Sequence, residues 1–233
     1  MSVPPPAPKA VPSRVVDGPV PLAAAEARQE ALLGLGAPAV YVGVADGRCL
    51  SYGVRVAETA PYLARARADG VPVLRRRSGG TGVLVGPGDL LWGIVVPRTE
   101  PLAGRDFVRA YDRLGAGVVG WLGAAGVVAG WTSPPGLSDD YCPLGRDGAV
   151  LEAGGRIVAA AAQHATARAL LHHGVVARAV DHARIARYFD LAEPEVAAHL
   201  GGWEEIPAEI DPGRAAPALA AHLARSFAAA PVG

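Results

Sequence analysis

Three consecutive arginines, Arg75 to Arg77, precede two glycine clusters in the segment RRRSGGTGVLVGPGDLLWGIVVP, residues 75–97. The segment lacks the Gly-Lys-Ser/Thr ending of a P-loop, and its glycines do not follow a strand and open a helix as in a dinucleotide-binding fold. Two interpretations remain. The glycines only allow a tight turn, or backbone N–H groups beside the arginines form a nest that holds an anion or a carbonyl oxygen.

The second residue that could do chemistry is Cys142, which lies in the polar segment SDDYCPLGRDG, residues 138–148. A thiolate is a strong nucleophile, and Arg146 would favour it while Asp139 and Asp140 would oppose it. A lone cysteine is more often an inert, small apolar side chain. Cys49 lies in a predicted strand, and we interpret it as structural.

The third feature is the histidine pair His172 and His173 in LLHHGVV, residues 170–176. Neighbouring residues of a strand point to opposite faces, so the two rings cannot easily bind one metal ion. We expect one ring in the core and the other exposed, or lining a pocket as a base or hydrogen-bond donor. No metal site is predicted.

The amino-acid composition argues against several classes of protein. The 233 residues contain 22 basic and 22 acidic side chains, which argues against binding to nucleic acid or to a membrane surface. Two cysteines are too few for a disulfide framework. No signal peptide and no apolar run of about 20 residues is visible, so we expect a soluble cytoplasmic protein.

The elements that must position these residues are a mixture of helices and strands, which predicts an α+β fold with a mixed sheet and C-terminal helices. Residues 1–18 are rich in proline and are expected to form a flexible tail, followed by one domain over residues 19–233. The segments 82–85 and 90–96 are predicted to form a β-hairpin through the turn GPGD. A second hairpin is predicted to turn at Gly154 and Gly155.

Three blocks resemble one family. LRRRSGGTGVLVGPGDLLW (residues 74–92) resembles the Arg-Arg-x-x-Gly-Gly block of the superfamily of lipoate–protein ligases, octanoyltransferases and biotin–protein ligases. GRIVAAAAQ (155–163) resembles its Gly-Arg-Lys block, and LLHHGVV its His-Gly block. The blocks occur in the family's order, over roughly residues 20–180. Cys142 precedes the second block by the distance found in cysteine-dependent octanoyltransferases, which are the most similar members.

The resemblance implies a mixed sheet backed by helices, with an acyl chain in a tunnel beside the glycine-rich segment. Cys142 would be the catalytic residue. A second set would bind the acyl group or an acyl-adenylate: Arg75, Arg76, Arg77, Ser78, Gly79, Gly80, Thr81, Gly82, His173 and Gly174. The partners would be an acyl-carrier or lipoyl-domain protein and a small acyl ligand, with an octanoyl- or lipoyl-like acyl donor and no metal.

The chain departs from the family pattern at three positions. Ile157 stands where the family has a lysine, Ala160 where it has a glycine, and Val85 where a histidine is common. Isoleucine cannot place positive charge where negative charge develops in adenylate formation, so ATP and Mg²⁺ are not expected. Three hypotheses follow: an acyltransferase that works through a thioester on Cys142, an ATP-dependent ligase with an altered site, and a binding protein without chemistry. We adopt the first.

Overall fold

The computed structural model describes residues 11–100, 107–206 and 209–229. A mixed sheet of seven strands has the order β1-β2-β6-β10-β9-β8-β7, in which β1 runs parallel to β2 and the other neighbours are antiparallel. Its strands are β1 (Ser13–Val20), β2 (Ala39–Ala45), β6 (Leu90–Pro97), β7 (Ala129–Thr132), β8 (Ala149–Ala153), β9 (Arg156–Ala165) and β10 (Ala169–Val176).

A smaller sheet has the order β4-β3-β5, with β3 (Cys49–Tyr52), β4 (Val73–Arg75) and β5 (Gly82–Val85). The described residues also form six α-helices. They are α1 (Leu22–Leu35), α2 (Pro61–Ala68), α3 (Phe107–Ala124), α4 (His182–Phe189), α5 (Glu193–His199) and α6 (Pro212–Ala229). The predicted α+β class, with a mixed sheet and C-terminal helices, is confirmed.

Strand alternation assigns the two faces of the large sheet to different neighbours. On one face, side chains such as Val42, Trp92 and Leu170 pack against α3 and α6. On the other face, Tyr41, Leu91 and Leu171 pack towards α1 and the small sheet. Helix α1 begins after Pro21 and ends at Gly36, whose φ of 68° is most favourable for a residue without Cβ. The functional residues gather on this second face.

The predicted tail is wrong over part of its length. Residues 13–18 belong to β1, which pairs with β2 and forms one edge of the large sheet. The apolar residues Val15 and Val20 pack against the core cluster on the α1 side, and this burial outweighs the local proline-rich composition. Residues 1–10 lie outside the described part of the chain.

The predicted hairpin of β5 and β6 is also wrong, although both strands exist. β5 pairs with β3 in the small sheet, whereas β6 pairs with β2 and β10 in the large one. The GPGD turn therefore carries the chain from one sheet to the other. The Asp89 carboxylate fixes this corner because it accepts the amides of Gly86 (2.7 Å) and Arg178 (2.8 Å). The predicted hairpin of β8 and β9, which turns at Gly154 and Gly155, is confirmed.

Candidate active site

A cavity lies between α1, the small sheet and one face of the large sheet. About 520 Å³ of empty space, part of it open to solvent, lies between its walls. Its apolar wall is formed by Leu22, Val83, Val85, Leu91, Ala160, Ala161, Ala162, Gly174 and Val175. Its polar groups are Glu26, Gln29, Ser51, Arg76, Cys142 and His173. All three sequence blocks and the cysteine loop thus contribute residues to the same space.

Arg76 is the buried cation of the cavity, with 5% of its surface exposed. Its Nε donates to the Gly79 carbonyl (3.1 Å), its Nη2 to the Thr81 carbonyl (2.9 Å) and its Nη1 to Ser51 Oγ (3.3 Å). Burial lowers the pKa of this guanidinium, but an arginine stays protonated at neutral pH. Among the described residues, no carboxylate lies within ion-pair distance of it. The glycine loop therefore folds around a positive charge that lines the cavity together with the Glu26 carboxyl group.

Gly80 separates this guanidinium from the thiol of Cys142. A Cβ at this position would lie 2.7 Å from Arg76 Nη2 and 3.2 Å from Cys142 Sγ. The φ of Gly80 is +86°, a conformation that side chains strongly disfavour. Glycine is thus required here for two reasons. It can adopt this backbone conformation, and it leaves room for the thiol and the guanidinium to approach each other.

The loop that carries Cys142 is fixed against the glycine loop. The Gly82 amide donates to the Asp140 carbonyl (2.8 Å), and Tyr141 forms a β-bridge with Gly82. Ser138 Oγ accepts the amide of Tyr141 (3.0 Å), and Cys142 then starts a single 3₁₀ turn. The half-buried thiol consequently lines the cavity, whereas the buried Cys49 has a pKa raised to about 12 by desolvation.

Arg146, which the sequence suggested as a partner of the thiolate, points elsewhere. It forms an exposed ion pair with Asp139 at 2.9 Å. The cation that lies beside Cys142 is Arg76, which comes from a different part of the chain.

His173 bridges α1 and the glycine loop. Its Nδ1 lies 2.9 Å from Gln29 Oε1, and its Nε2 lies 2.8 Å from Ser78 Oγ. Gln29 Nε2 donates to the Trp92 carbonyl, so its oxygen accepts from His173 Nδ1–H. Burial, assisted by the positive charge of Arg76, lowers the pKa of His173 to about 3, so the ring is neutral. Its Nε2 lone pair then accepts the Ser78 hydroxyl, so His173 itself does not offer a free base to Cys142.

His172 points to the opposite face, as the alternation predicts. It is fully buried against the rings of Trp92, Trp131 and Tyr111, at centroid distances of 5.1, 6.4 and 4.9 Å. Burial lowers its pKa to about 3. Its Nε2 has no hydrogen-bond partner among the described residues. His172 is therefore part of the core and not of the cavity.

The structure does not bring every predicted binding residue to the cavity. Arg75 donates to the Val54 carbonyl (2.6 Å) on the outer side, and the Arg77 side chain is 74% exposed. The alternation of an extended backbone explains why Arg76 alone of the three points inwards.

Most of the remaining members of the predicted set support the cavity from behind, whereas Gly174 lies in its wall. Ser78 lies beneath His173, and Gly79 and Thr81 supply carbonyls to Arg76. Gly82 contacts Phe189, and Gly174 lets β10 approach β9, since a Cβ would lie 2.2 Å from the Ala160 carbonyl.

Sequence reasoning missed three polar residues of the cavity: Glu26, Gln29 and Ser51. Burial raises the pKa of Glu26 to about 7, which Arg76 partly opposes. The signal was the spacing of Leu22, Glu26 and Gln29, which places them on one face of α1. That face is buried. Its burial could not be predicted from the sequence, because Glu26 and Gln29 are polar.

The positions that depart from the family pattern are apolar and packed. Ile157 is 8% exposed and belongs to the cluster that contains Tyr141 and Leu144, outside the lining of the main cavity. Arg156 does not substitute for the missing lysine, since it pairs with Glu205 at 2.9 Å. Val85 and Ala160 contribute to the cavity wall.

Within residues 11–100, 107–206 and 209–229, no group of three or more His, Cys, Asp or Glu side chains is arranged to hold a metal ion. In the same ranges no helix combines the length and the apolar character needed to span a membrane.

Comparison with known proteins gives a family match over most of the chain. Residues 20–201 match the model described as the lipoyl protein ligase A/B catalytic domain. No curated protein sequence matches the chain.

Several solved structures share the fold. A lipoate-protein ligase A bound with ATP is 19% identical, with a TM-score of 0.74, and the match covers 94% of this chain and 86% of that one. The bi-partite lipoate protein ligase of Thermoplasma acidophilum, analysed with its E2 lipoyl domain, is 16% identical (TM-score 0.71; 94% and 84% covered). LipL1 of P. falciparum, in complex with lipoate, is 14% identical (TM-score 0.66; 93% and 60% covered).

Proposed function

Because the chain belongs to the lipoyl protein ligase A/B catalytic-domain family, we propose that it transfers an octanoyl- or lipoyl-type acyl group to a carrier protein through a thioester on Cys142. The observation that carries the proposal is the position of Cys142 Sγ, which shares a cavity with the buried Arg76 and lies on the other side of Gly80 from it. A nucleophile beside a fixed positive charge is what covalent acyl transfer requires.

In the first step, the Cys142 sulfur attacks the thioester carbonyl of an acyl-carrier donor. A carbon–sulfur bond forms and the carbonyl electrons move to oxygen. The bond to the donor sulfur then breaks, and the proton released by Cys142 ends on the departing thiol. Arg76 supports this step because its charge stabilises both the thiolate and the oxyanion.

In the second step, a lysine amine of the acceptor attacks the Cys142 thioester. A carbon–nitrogen bond forms, the carbon–sulfur bond breaks, and one amine proton returns to the sulfur. The acceptor we propose is a lipoyl domain, since the structurally similar T. acidophilum ligase was analysed with its E2 lipoyl domain. The apolar wall around Val83, Leu91 and Val175 would hold the acyl chain.

Ile157 is the reason to favour transfer over ATP-dependent ligation. It is an apolar residue packed beside Tyr141, and the nearby Arg156 is paired with Glu205. Neither supplies charge to an adenylate. The second candidate, an ATP-dependent lipoate–protein ligase, is favoured by the buried positive charge of Arg76 in the cavity, which suits a phosphate as well as an oxyanion.

The test is acyl transfer to a recombinant lipoyl domain, followed by intact mass. The protein is incubated with the lipoyl domain and either octanoyl-carrier protein or free octanoate with ATP and Mg²⁺. Transfer from the carrier alone supports the proposal. Modification that requires free acid and ATP identifies the ligase instead. Binding of octanoate without modification under either condition identifies a binding protein that keeps the fold.

A further inference from the structure

The half-buried carboxyl group of Glu26 lines the cavity and has no part in the chemistry described so far. It comes from α1, whereas Arg76 belongs to the glycine loop and Cys142 to the loop before β8. The hydroxyl group of Ser51 lies between the carboxyl group and the guanidinium. Ser51 Oγ is 3.5 Å from Glu26 Oε1 and accepts a hydrogen bond from Arg76 Nη1 at 3.3 Å. Glu26 and Arg76 are therefore linked through one hydroxyl group.

Another nitrogen of the same guanidinium faces Cys142. Arg76 Nη2 and Cys142 Sγ lie 2.7 Å and 3.2 Å from the position that a Cβ would occupy at Gly80. The nitrogen and the sulfur are therefore no farther apart than the sum of these distances. Desolvation lowers the pKa of Arg76, while negative charge on Cys142 and then on Glu26 raises it. One buried cation thus interacts with two acidic groups.

The carboxyl group of Glu26 changes its charge near neutral pH. Desolvation raises its pKa to about 7, and this shift is opposed by Arg76, assisted by Glu30 and opposed by the hydrogen bond with Ser51. Two anions beside one cation in a half-buried site repel each other, so the ionisation of one opposes the ionisation of the other. An ionised Glu26 should therefore disfavour a thiolate at Cys142.

We propose that Glu26 is a positioning residue for acyl transfer: its carboxylate and the Cys142 thiolate compete for the positive charge of Arg76, and the cavity holds one of the two anions at a time. The inference rests on the proposed function, because it takes Cys142 as the nucleophile. The proton released by Cys142 resides on Glu26 until the departing thiol takes it. The sulfur of the thioester carries no charge, so the Glu26 carboxylate then balances Arg76.

Five neighbouring groups do not change their charge between about pH 5 and 9. Desolvation raises the pKa of Tyr62 in α2 and of Tyr111 in α3 to about 12, and it raises the pKa of Tyr141 further. The pKa of Cys49 in β3, beside Glu26, is raised to about 12. The pKa of His173 in β10 is lowered to about 3, so its ring is neutral.

Three further carboxyl groups act on this part of the site. Glu30 lies one turn along α1 and pairs with His164 at 2.9 Å. Asp89 lies at the corner after β5, and burial raises its pKa to about 7. Asp140 is exposed on the loop of Cys142. All three are retained in every variant compared below, so a difference between a Glu26 variant and the wild type reports on Glu26.

The test is the rate at which iodoacetamide alkylates Cys142, followed by intact mass across a series of pH values. All proteins carry Cys49→Ser, which leaves one of the two thiols of the chain. Glu26→Gln removes the charge and keeps the shape of the side chain. The two rates should be equal at about pH 5, where Glu26 is protonated, and Glu26→Gln should be faster at about pH 8 by on the order of tenfold. The ratio of the rates should rise through pH values of about 7.

Glu58→Gln and Glu26→Asp are the matched controls. Glu58 is an exposed residue that pairs with Arg75, so its substitution removes the same charge from the surface. Glu26→Asp keeps a carboxyl group in the cavity. Both should lack the tenfold gain at about pH 8. A rate for Glu26→Gln that equals the wild-type rate at every pH, or differs from it by one constant factor, would overturn the proposal. A purely structural effect would not follow the ionisation of a carboxyl group.

The alkylation rate does not depend on acyl transfer, so the two proposals can fail separately. A rate ratio that rises with pH, without any acyl adduct from octanoyl-carrier protein, refutes the transferase alone. An acyl adduct on Cys142 without such a rise refutes the role of Glu26 alone.

Discussion

Ser78 Oγ lies 2.8 Å from His173 Nε2, although the two residues belong to different sequence blocks, 95 positions apart. This hydrogen bond joins the glycine loop to β10 of the large sheet. Ser78 is buried and His173 is half-buried, and a second hydrogen bond joins His173 to Gln29 of α1. The contact therefore fixes the loop that carries Arg76 relative to the cavity floor.

Ser78→Ala should destabilise the protein, because it removes the hydrogen bond between the buried Ser78 hydroxyl and the half-buried His173 ring. The expected loss in free energy of unfolding is about 0.5–1.5 kcal/mol, measured by urea denaturation. Ser133→Ala, at an exposed serine, is the matched control and should be nearly neutral. Equal stability of the Ser78 variant and the wild type would mean that the bond contributes nothing.

Gly80→Ala should abolish acylation of Cys142, because a Cβ at this position meets both Arg76 and the thiol. Gly70→Ala is the control for backbone strain, since Gly70 has a similar φ of 69° and no atom within 4 Å of its Cβ position. Both variants should lose stability, and only the first should lose the acyl-enzyme, as followed by intact mass. Normal acylation in Gly80→Ala would show that acylation does not depend on the close approach of Arg76 and Cys142 at Gly80.

How much the sequence predicts depends on whether a feature is local. Local patterns correctly gave β5, β6 and the turn between β8 and β9. The pairing of β5 with β3 depends on contacts with distant segments, so the GPGD turn alone suggested a hairpin that does not form.

The candidate site could likewise be predicted in part from the sequence. The resemblance identified Cys142, Arg76 and His173, and the structure places all three at one cavity. Glu26 and Gln29 escaped notice because polar residues on a helix usually face water. Here their side of α1 packs against β2, β6 and β10 of the large sheet.

His172→Phe should reduce the sensitivity of the fold to acid. The pKa of the buried ring is about 3 in the folded state against about 6.5 in the unfolded state, so unfolding takes up a proton below pH 6.5. The wild type should thus lose about 1.4 kcal/mol of stability per pH unit between pH 6 and 4 relative to the variant, measured by denaturation at each pH. If the free energies of unfolding of the two proteins changed in parallel with pH, the His172 ring would not be held neutral in the folded state.

Lipoate-dependent release of pyrophosphate from ATP should be at background in the wild type. Removal of a charge that stabilises such a reaction typically costs on the order of 100- to 1,000-fold in rate. Ile157→Lys should raise the release, whereas Ile157→Met, which adds length without charge, should not. Rapid release by the wild type would instead favour the ligase.

The central claim is that Cys142 carries the acyl group, and mass spectrometry of the protein after brief exposure to octanoyl-carrier protein tests it most directly. Cys49→Ser is the matched control, because Cys49 is buried and the pKa of its thiol is raised to about 12. We expect one octanoyl adduct on the wild type and on Cys49→Ser, located to the peptide of Cys142, and none on Cys142→Ser. An adduct that persists in Cys142→Ser, or the absence of any adduct on the wild type, would contradict the account.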